Sequence, residues 1–317
     1  MVSIYRYSHR LVNMKVLDTF CGVGGIKQGF TQAGFDVVQS IDFDKACKTT
    51  FDLNYEDKMI LGDISELSPD SYPDHDVLVG GFPCQAFSVA GYRKGFNEKR
   101  GTLFFNLADI LHVKRPRAFM FENVKGLVGH DGGKTLEVIL RTLREDLGYY
   151  VPEPKVLNSW DYGVPQNRER IFIVGFDKEN DFQFPNKKDH SGDIWEVLDD
   201  DVDSRYDVQG PFNPYNSDEY MDIEPGFVYQ KRFNYVRKHS NPKRSPTLVT
   251  GMTPTIIRQG DRVRRLTPAE CFRLQGFKKD FKLPDISEAQ LYKQAGNSVS
   301  VPVIKAVAEE MWKTLNS

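Results

Sequence analysis

Cysteine is scarce in this chain, with four among 317 residues, and the four are scattered as Cys21, Cys47, Cys84 and Cys271. None forms a close pair or a metal-ligand spacing. This excludes a disulfide scaffold and a cysteine-held metal site and suits reduced thiols in a cytoplasmic protein. No apolar run approaches the roughly 18 residues that a membrane helix needs, so no membrane partner is expected. The opening residues, Met1 to Asn13, mix tyrosines with Arg6, His9 and Arg10. They lack the continuous apolar core of a secretory signal and read as an irregular lead-in. Charge of one sign is also lacking overall, since the formal net charge is −2, which argues against a simple nucleic-acid binder. The chain is not poor in apolar residues, at 40%, so it can bury a core, and its length suits roughly two domains.

The charge that is present is unevenly placed. From Lys231 to Arg265 the chain carries Lys231, Arg232, Arg237, Lys238, Lys243, Arg244, Arg258, Arg262, Arg264 and Arg265, with Asp261 as the single acid. The stretch before it is the reverse, running from Asp193 through Asp199, Asp200, Asp201, Asp203 and Asp207 to Glu224. Two ordinary solvated faces are one reading of this asymmetry. The other is a polyanion-facing surface on the basic segment.

Short apolar runs alternate with helical patterns over the first half. Lys15 to Asp18, Val37 to Ile41, Lys58 to Leu61, Asp76 to Gly80, Ala118 to Phe121, Lys155 to Leu157 and Arg170 to Gly175 read as strands. Helices are expected over Gly25 to Ala33, about Thr102 to Val113 and about Lys134 to Leu147. This is the pattern of an α/β fold with a doubly wound sheet. After Gly175 the alternation stops, and a smaller, irregular, strand-containing domain is expected. Helical patterning returns at Thr267-Pro268-Ala269-Glu270, a capping box with proline at the first helical position. The expected division is 1–176 plus 263–317 for a catalytic and cofactor-binding domain, with 177–262 inserted as a second domain that reads the target.

Ligands bind outside the carboxyl ends of buried parallel strands. Three features stand at such ends. Asp18-Thr19-Phe20-Cys21-Gly22-Val23-Gly24-Gly25 leaves the first strand and opens a helix. Its glycines allow a tight turn and close approach to a ligand, but Lys27 stands where a dinucleotide fingerprint wants glycine. The acid followed by Gly-x-Gly resembles an S-adenosylmethionine loop instead. Asp42 at the second strand end is placed to accept ribose hydroxyls, Phe43 to lie on adenine, and Asp63 beside Ile64 to accept the adenine amine. Phe20 and Phe43 are also open to a plain core role. The second feature is Gly80-Gly81-Phe82-Pro83-Cys84-Gln85-Ala86-Phe87-Ser88, and the third is Glu122-Asn123-Val124. A thiol and a carboxylate facing one crevice suit covalent attack on an electron-poor ring with acid support. Free cysteines are usually inert buried thiols, the reading preferred for Cys21, Cys47 and Cys271. Pro83, Gln85 and Ser88, with a loop setting, set Cys84 apart.

Taken together these segments resemble the cytosine-carbon-5 DNA methyltransferase family, in its compact bacterial form. The resemblance extends to Arg100-Gly101-Thr102-Leu103, Gln166-Asn167-Arg168-Glu169-Arg170, Arg265-Leu266-Thr267-Pro268-Ala269-Glu270-Cys271 and Gln294-Ala295-Gly296-Asn297-Ser298-Val299, in the family's order. It implies methyl transfer from S-adenosyl-L-methionine to carbon 5 of cytosine in a short sequence of double-stranded DNA, through a Cys84 adduct on a flipped-out base. Glu122, Arg168 and Arg170 would complete the catalytic set, with Arg168 near a phosphate or Glu122 and Arg170 on the carbon-2 oxygen. The cofactor would meet Phe20, Gly22, Gly24, Gly25, Asp42, Phe43, Asp63, Ile64, Pro83, Leu103, Asn297 and Ser298. DNA would meet Ser88, Arg100, Lys231, Arg232, Arg237 and Thr247, the last in a Thr247-Leu248 pair. A cytoplasmic monomer of bacterial or phage origin is expected, with a cognate restriction endonuclease as an indirect partner. The alternatives are a tRNA cytosine methyltransferase and a catalytically inactive DNA-binding homologue.

Overall fold

The computed structural model describes residues 14–82, 103–188, 192–208, 223–232, 235–250 and 255–317. Pro83, Cys84, Ser88 and Arg100 therefore lie outside the described residues, as do the side chains of Lys231 and Arg232.

The main sheet is built from β1 (Lys15–Thr19), β2 (Asp36–Asp42), β3 (Ile60–Leu61), β4 (Val77–Gly81), β5 (Ala118–Val124), β6 (Lys155–Asn158) and β7 (Glu169–Phe176). Their order is β3-β2-β1-β4-β5-β7-β6. The first five are mutually parallel, whereas β7 runs antiparallel between β5 and β6. Both faces are covered, because successive side chains along each strand point to opposite sides. Val16, Val77, Val79 and Met120 pack on one side with Phe30 of α1 (Gly25–Gln32) and Ile304 and Val307 of the last helix. Leu17, Leu78, Phe119 and Phe121 pack on the other with Leu107 and Leu111 of α3 (Leu103–Lys114) and Ile139 of α4 (Lys134–Arg141). Between the second and third strands lies α2 (Lys45–Asn54), capped by the Asp44 carboxylate, which accepts from the Ala46 and Cys47 amides.

A second sheet, of β8 (Val228–Arg232), β9 (Tyr235–Lys238), β10 (Thr255–Gln259) and β11 (Arg262–Arg265), is wholly antiparallel in the order β11-β10-β8-β9. The capping box appears as expected at α5 (Pro268–Arg273), and α6 (Glu288–Asn297) and α7 (Val301–Asn316) follow. α7 lies against α1 on the main sheet, so the small sheet is an excursion from a fold that the end of the chain completes. No described helix is long and apolar enough to cross a membrane.

Candidate active site

Strand order reverses between β1 and β4. From β1 the sheet runs to β2 and β3 on one side and to β4 and β5 on the other. That topological switch point opens a crevice at the carboxyl ends of the two strands, the usual ligand position in such sheets. The glycine turn leaves β1 there, and the segment leading to Cys84 leaves β4.

The glycine turn is over-determined by its neighbours. Gly22 and Gly24 adopt φ of 54° and 86°, and Phe20 shares the left-handed region at 54°. For a phenylalanine this is a strained conformation of the kind held at ligand sites. A Cβ at Gly24 would fall 2.5 Å from the Tyr55 ring, and one at Gly25 would fall 2.8 Å from Val299. At Gly22, by contrast, a Cβ would meet nothing within 4 Å, so this glycine faces open space. The Gly25 position also lies against Ser298, 3.0 Å from its Oγ, which brings the Asn297-Ser298 segment to the turn. Asp42 holds the loop in place, accepting from the Gly22 amide at 2.9 Å with one carboxylate oxygen and from the Asp44 amide with the other. Each of those oxygens keeps a second lone pair. Phe43 is 65% exposed, a large apolar ring left in solvent beside that acid, with Leu61 exposed on the paired strand end. Asp63 is half-buried, and one of its oxygens accepts from the Ser65 amide and hydroxyl; Ile64 is buried next to it. Leu103 opens α3 and packs on the core beneath the crevice. An open-sided glycine, an exposed aromatic ring and a carboxylate at successive strand ends fit an adenosine-bearing ligand.

Glu122 sits one strand over. Gly81 and Glu122 are register partners, so the carboxylate stands directly beside the point where β4 passes into the Pro83-Cys84 segment. The antiparallel direction of β7 matters here, because it starts that strand at the carboxyl ends of the parallel ones. Arg170 pairs with Val124 while Phe172 pairs with Glu122, making Arg170 and Glu122 diagonal neighbours on one face. Arg170 Nε lies 3.0 Å from Glu122 Oε1, with both side chains largely buried. Asn123, whose role nothing in the Glu-Asn-Val run announces, sits beside Glu122 on β5. Its amide donates to the Phe82 carbonyl at 2.8 Å and its own oxygen accepts from the Val124 amide. Phe82 is itself wedged between Phe104 and Phe121. The residue immediately before Pro83-Cys84 is thus fixed by both backbone and ring.

Arg168, expected near a phosphate or Glu122, lies within electrostatic reach of Glu122 but makes its hydrogen bonds elsewhere. Its guanidinium is buried and donates to three carbonyls, Leu248 at 3.2 Å, Gly296 at 3.0 Å and Ser298 at 2.5 Å. Desolvation, with the nearby Arg170 adding to it and Glu122 opposing it, lowers its pKa to about 9. Arg170 alone makes the ion pair with Glu122 among the described residues. The segment around Arg168 also grips the strip that carries Thr247. Asn167 donates its amide to the Ser245 carbonyl and accepts Thr247 Oγ1 at its own carbonyl. The Gln166 side chain accepts from the Leu248 amide and donates to the Leu274 carbonyl. One short motif therefore joins the strip of residues 245–248, the end of α5 and the end of α6.

Cys21, Cys47 and Cys271 are buried free thiols, and burial raises the pKa of each, in keeping with inert core residues. No cluster that would hold a metal occurs among the described residues.

The basic segment is largely consumed internally. Arg262 pairs with Asp207, Lys238 with Glu224, Arg265 with Glu288 and Lys243 with Asp193. Arg264 and Glu270 form a fully buried pair. Much of the charge asymmetry in the sequence is thus acids and bases meeting one another around the small sheet.

Comparison with known proteins agrees with this geometry. A family model of C-5 cytosine-specific DNA methylases matches residues 14–313. The Type II methyltransferase M.SsoII of Shigella sonnei is 42% identical over 315 residues, covering 96% of this chain and 81% of its own length. The Type II methyltransferase M.Bsp6I of Bacillus sp. (strain RFL6) is 41% identical over 316 residues, covering 95% and 99%. The crystal structure of S. pombe Dnmt2 methyltransferase shares the fold, with a TM-score of 0.73 at 19% identity over 96% of this chain and 99% of that one. The chain belongs to the C-5 cytosine-specific DNA methylase family.

Proposed function

We propose that this methyltransferase modifies carbon 5 of cytosine in a short sequence of double-stranded DNA, through a covalent bond between Cys84 and carbon 6 of a flipped-out base. The observation that carries this reading is the register pairing of Gly81 with Glu122, one strand over from the switch point, with Arg170 on the carboxylate. It sets an acid one strand away from the loop that bears the thiol. Gly22, Asp42, Phe43 and Asp63, with Pro83, Leu103 and Ser298, would hold S-adenosyl-L-methionine, which would supply an electrophilic methyl group.

Attack of the Cys84 thiolate on carbon 6 makes carbon 5 nucleophilic, while Glu122 hydrogen-bonds ring nitrogen 3 and the exocyclic amine. Arg170 holds that carboxylate in place and would meet the carbon-2 oxygen. Once carbon 5 carries the methyl group, a base removes its proton, the sulfur–carbon bond breaks and the thiol leaves. Arg168 is a positioning residue in this scheme. A duplex must release its target base for any of these groups to reach it. The segment from Ser88 to Arg100 would close over that base, with Ser88 and Arg100 on the DNA. A cytoplasmic monomer within a restriction–modification system, with no contact to its nuclease, is the setting we propose.

The test is adduct trapping. The wild-type protein mixed with methyl donor and duplex DNA carrying 5-fluorocytosine is expected to give a denaturant-stable complex, and Cys84→Ser to give none. Turnover by Cys84→Ser at the wild-type rate would refute the covalent route, and transfer to tRNA with none to duplex DNA would refute the substrate.

A further inference from the structure

Lys27 stands where a dinucleotide fingerprint has its third glycine, and the methyl-transfer scheme gives it no part. That glycine lets a helix pack closely on its strand. Here the position carries a long side chain instead, and the side chain is buried. Its ammonium donates to Asp57 at 2.6 Å and to the Val37 carbonyl at 3.4 Å. A buried ammonium is costly without a counter-charge, so this pairing is what lets lysine occupy the site. The same nitrogen lies over the Tyr55 ring, 5.6 Å from its centre.

Tyr55 connects that pair to the glycine turn. Its hydroxyl donates to the Gly24 carbonyl at 3.0 Å. The same carbonyl accepts the Gln28 amide and so starts α1. Both lone pairs of that oxygen are thereby used. The Tyr55 ring packs on Phe51, with ring centres 4.6 Å apart, and burial holds the pKa of its hydroxyl above the usual value, so it stays a donor. Tyr55 immediately follows α2, whereas Phe43 precedes Asp44, the cap at the other end. α2 is tied in turn to α6, through Thr50 Oγ1 on the Gln294 side chain at 2.8 Å and Lys293 on Asp44 at 3.1 Å. It is a strut with one end at the exposed Phe43 ring and the other on the turn.

Glycine gives the turn its shape and also its freedom, because glycine has more conformations to lose than any other residue. Two bonds from outside the turn restrict it, Asp42 on the Gly22 amide and Tyr55 on the Gly24 carbonyl. Ordering a site before its ligand arrives removes a cost from binding. We propose that Tyr55 is a positioning residue for the methyl donor: its hydroxyl, backed by the Lys27–Asp57 pair, holds the glycine turn in the shape that receives the donor. The proposal deepens the DNA-methyltransferase reading and rests on it.

The probe is the demethylated donor, S-adenosyl-L-homocysteine, titrated calorimetrically into DNA-free protein, with steady-state kinetics and backbone hydrogen exchange alongside. Tyr55→Phe keeps the ring and loses the hydroxyl. It is expected to weaken binding about five- to tenfold, the fold-change that one hydrogen bond carries. The kinetic loss should fall on KM for the donor and not on kcat or on KM for DNA. Amide exchange in the cofactor-free protein should quicken over Phe20 to Gly25 and stay unchanged over α4. Lys27→Met removes the backing charge. It should weaken binding by a smaller factor alone and add nothing to Tyr55→Phe, because it acts through the phenol. Wild-type affinity in Tyr55→Phe overturns the proposal. Equal losses for donor and DNA, which a general loosening of the fold would give, overturn it too, as does full additivity of the two changes. If the wild type itself binds no S-adenosyl-L-homocysteine, the parent reading fails instead.

Discussion

Asp18 is fully buried beneath the glycine turn, and neither of its carboxylate oxygens has a hydrogen bond of ordinary geometry. Desolvation raises its pKa from 3.8 to about 8, and the positive charge of Lys27 offsets only part of that. In the unfolded chain this carboxyl ionises near 3.8 while the folded protein keeps its proton. The folded state thus binds more protons across that window, and stability falls as pH rises through it. Asp18→Asn removes the titration. Its urea midpoint is expected to exceed that of the wild type at pH 8.5, with the gap shrinking towards pH 4. A gap independent of pH would mean that the carboxyl is ionised throughout. Asn123 is the other residue whose part became visible only in space: an Asn in a Glu-Asn-Val run announces nothing, but its bond to the Phe82 carbonyl fixes the approach to Cys84.

Among the elements, α5 is where local sequence and tertiary charge meet. The Thr267 hydroxyl caps the Glu270 amide, and Glu270 returns a bond to the Thr267 amide. The same carboxylate accepts from two nitrogens of Arg264 on β11 and from the Asp199 amide. Removing one member of a buried pair strands the other charge, at about 3–5 kcal/mol. Glu270→Gln is expected to cost that much in urea unfolding. A double variant with Arg264→Met should cost less than the sum of the two single changes, because no charge is then left alone. Additive costs would show that the pair is not coupled. At α1, a Cβ on Gly29 would fall 2.5 Å from Ile304, so that glycine is what allows α7 to close on the main sheet.

In the molecule as a whole, Gln166 to Arg168 tie the main sheet to the strip of residues 245–248 and to the ends of α5 and α6. The three carbonyls that Arg168 holds belong to the Thr247-Leu248 strip and to the end of α6, which abuts the glycine turn. Arg168→Lys keeps a charge but cannot reach three acceptors in one plane. KM for DNA and KM for the methyl donor are expected to rise together, with kcat/KM down at least about tenfold, at temperatures where circular dichroism shows the fold intact. A fall in kcat alone would place Arg168 in the chemistry instead.

Much of the main sheet was legible from the chain because its signals are local: apolar runs of strand length, helix periodicity between them, and the capping box at Thr267. The strand ends carrying the glycine turn, the Cys84 segment and Glu122 followed from the same runs. Less legible were β3, reduced to Ile60–Leu61, and the antiparallel insertion of β7, since a strand's direction leaves no mark on its own residues. The basic segment's internal pairs were not legible, because a sequence shows charges but not which of them meet.

The sequence by itself determined the α/β alternation, the order of the chemistry-bearing segments and the family resemblance, all of which are written in contiguous residues. Only the tertiary structure decided that Arg170 rather than Arg168 pairs with Glu122, that Asn123 pins Phe82, that Arg237 lines a cavity with Thr247, and that Lys27 pairs with Asp57 behind the glycine turn. Those facts depend on register, strand direction and charge neutralisation between segments far apart in the chain, and these are set when the elements pack.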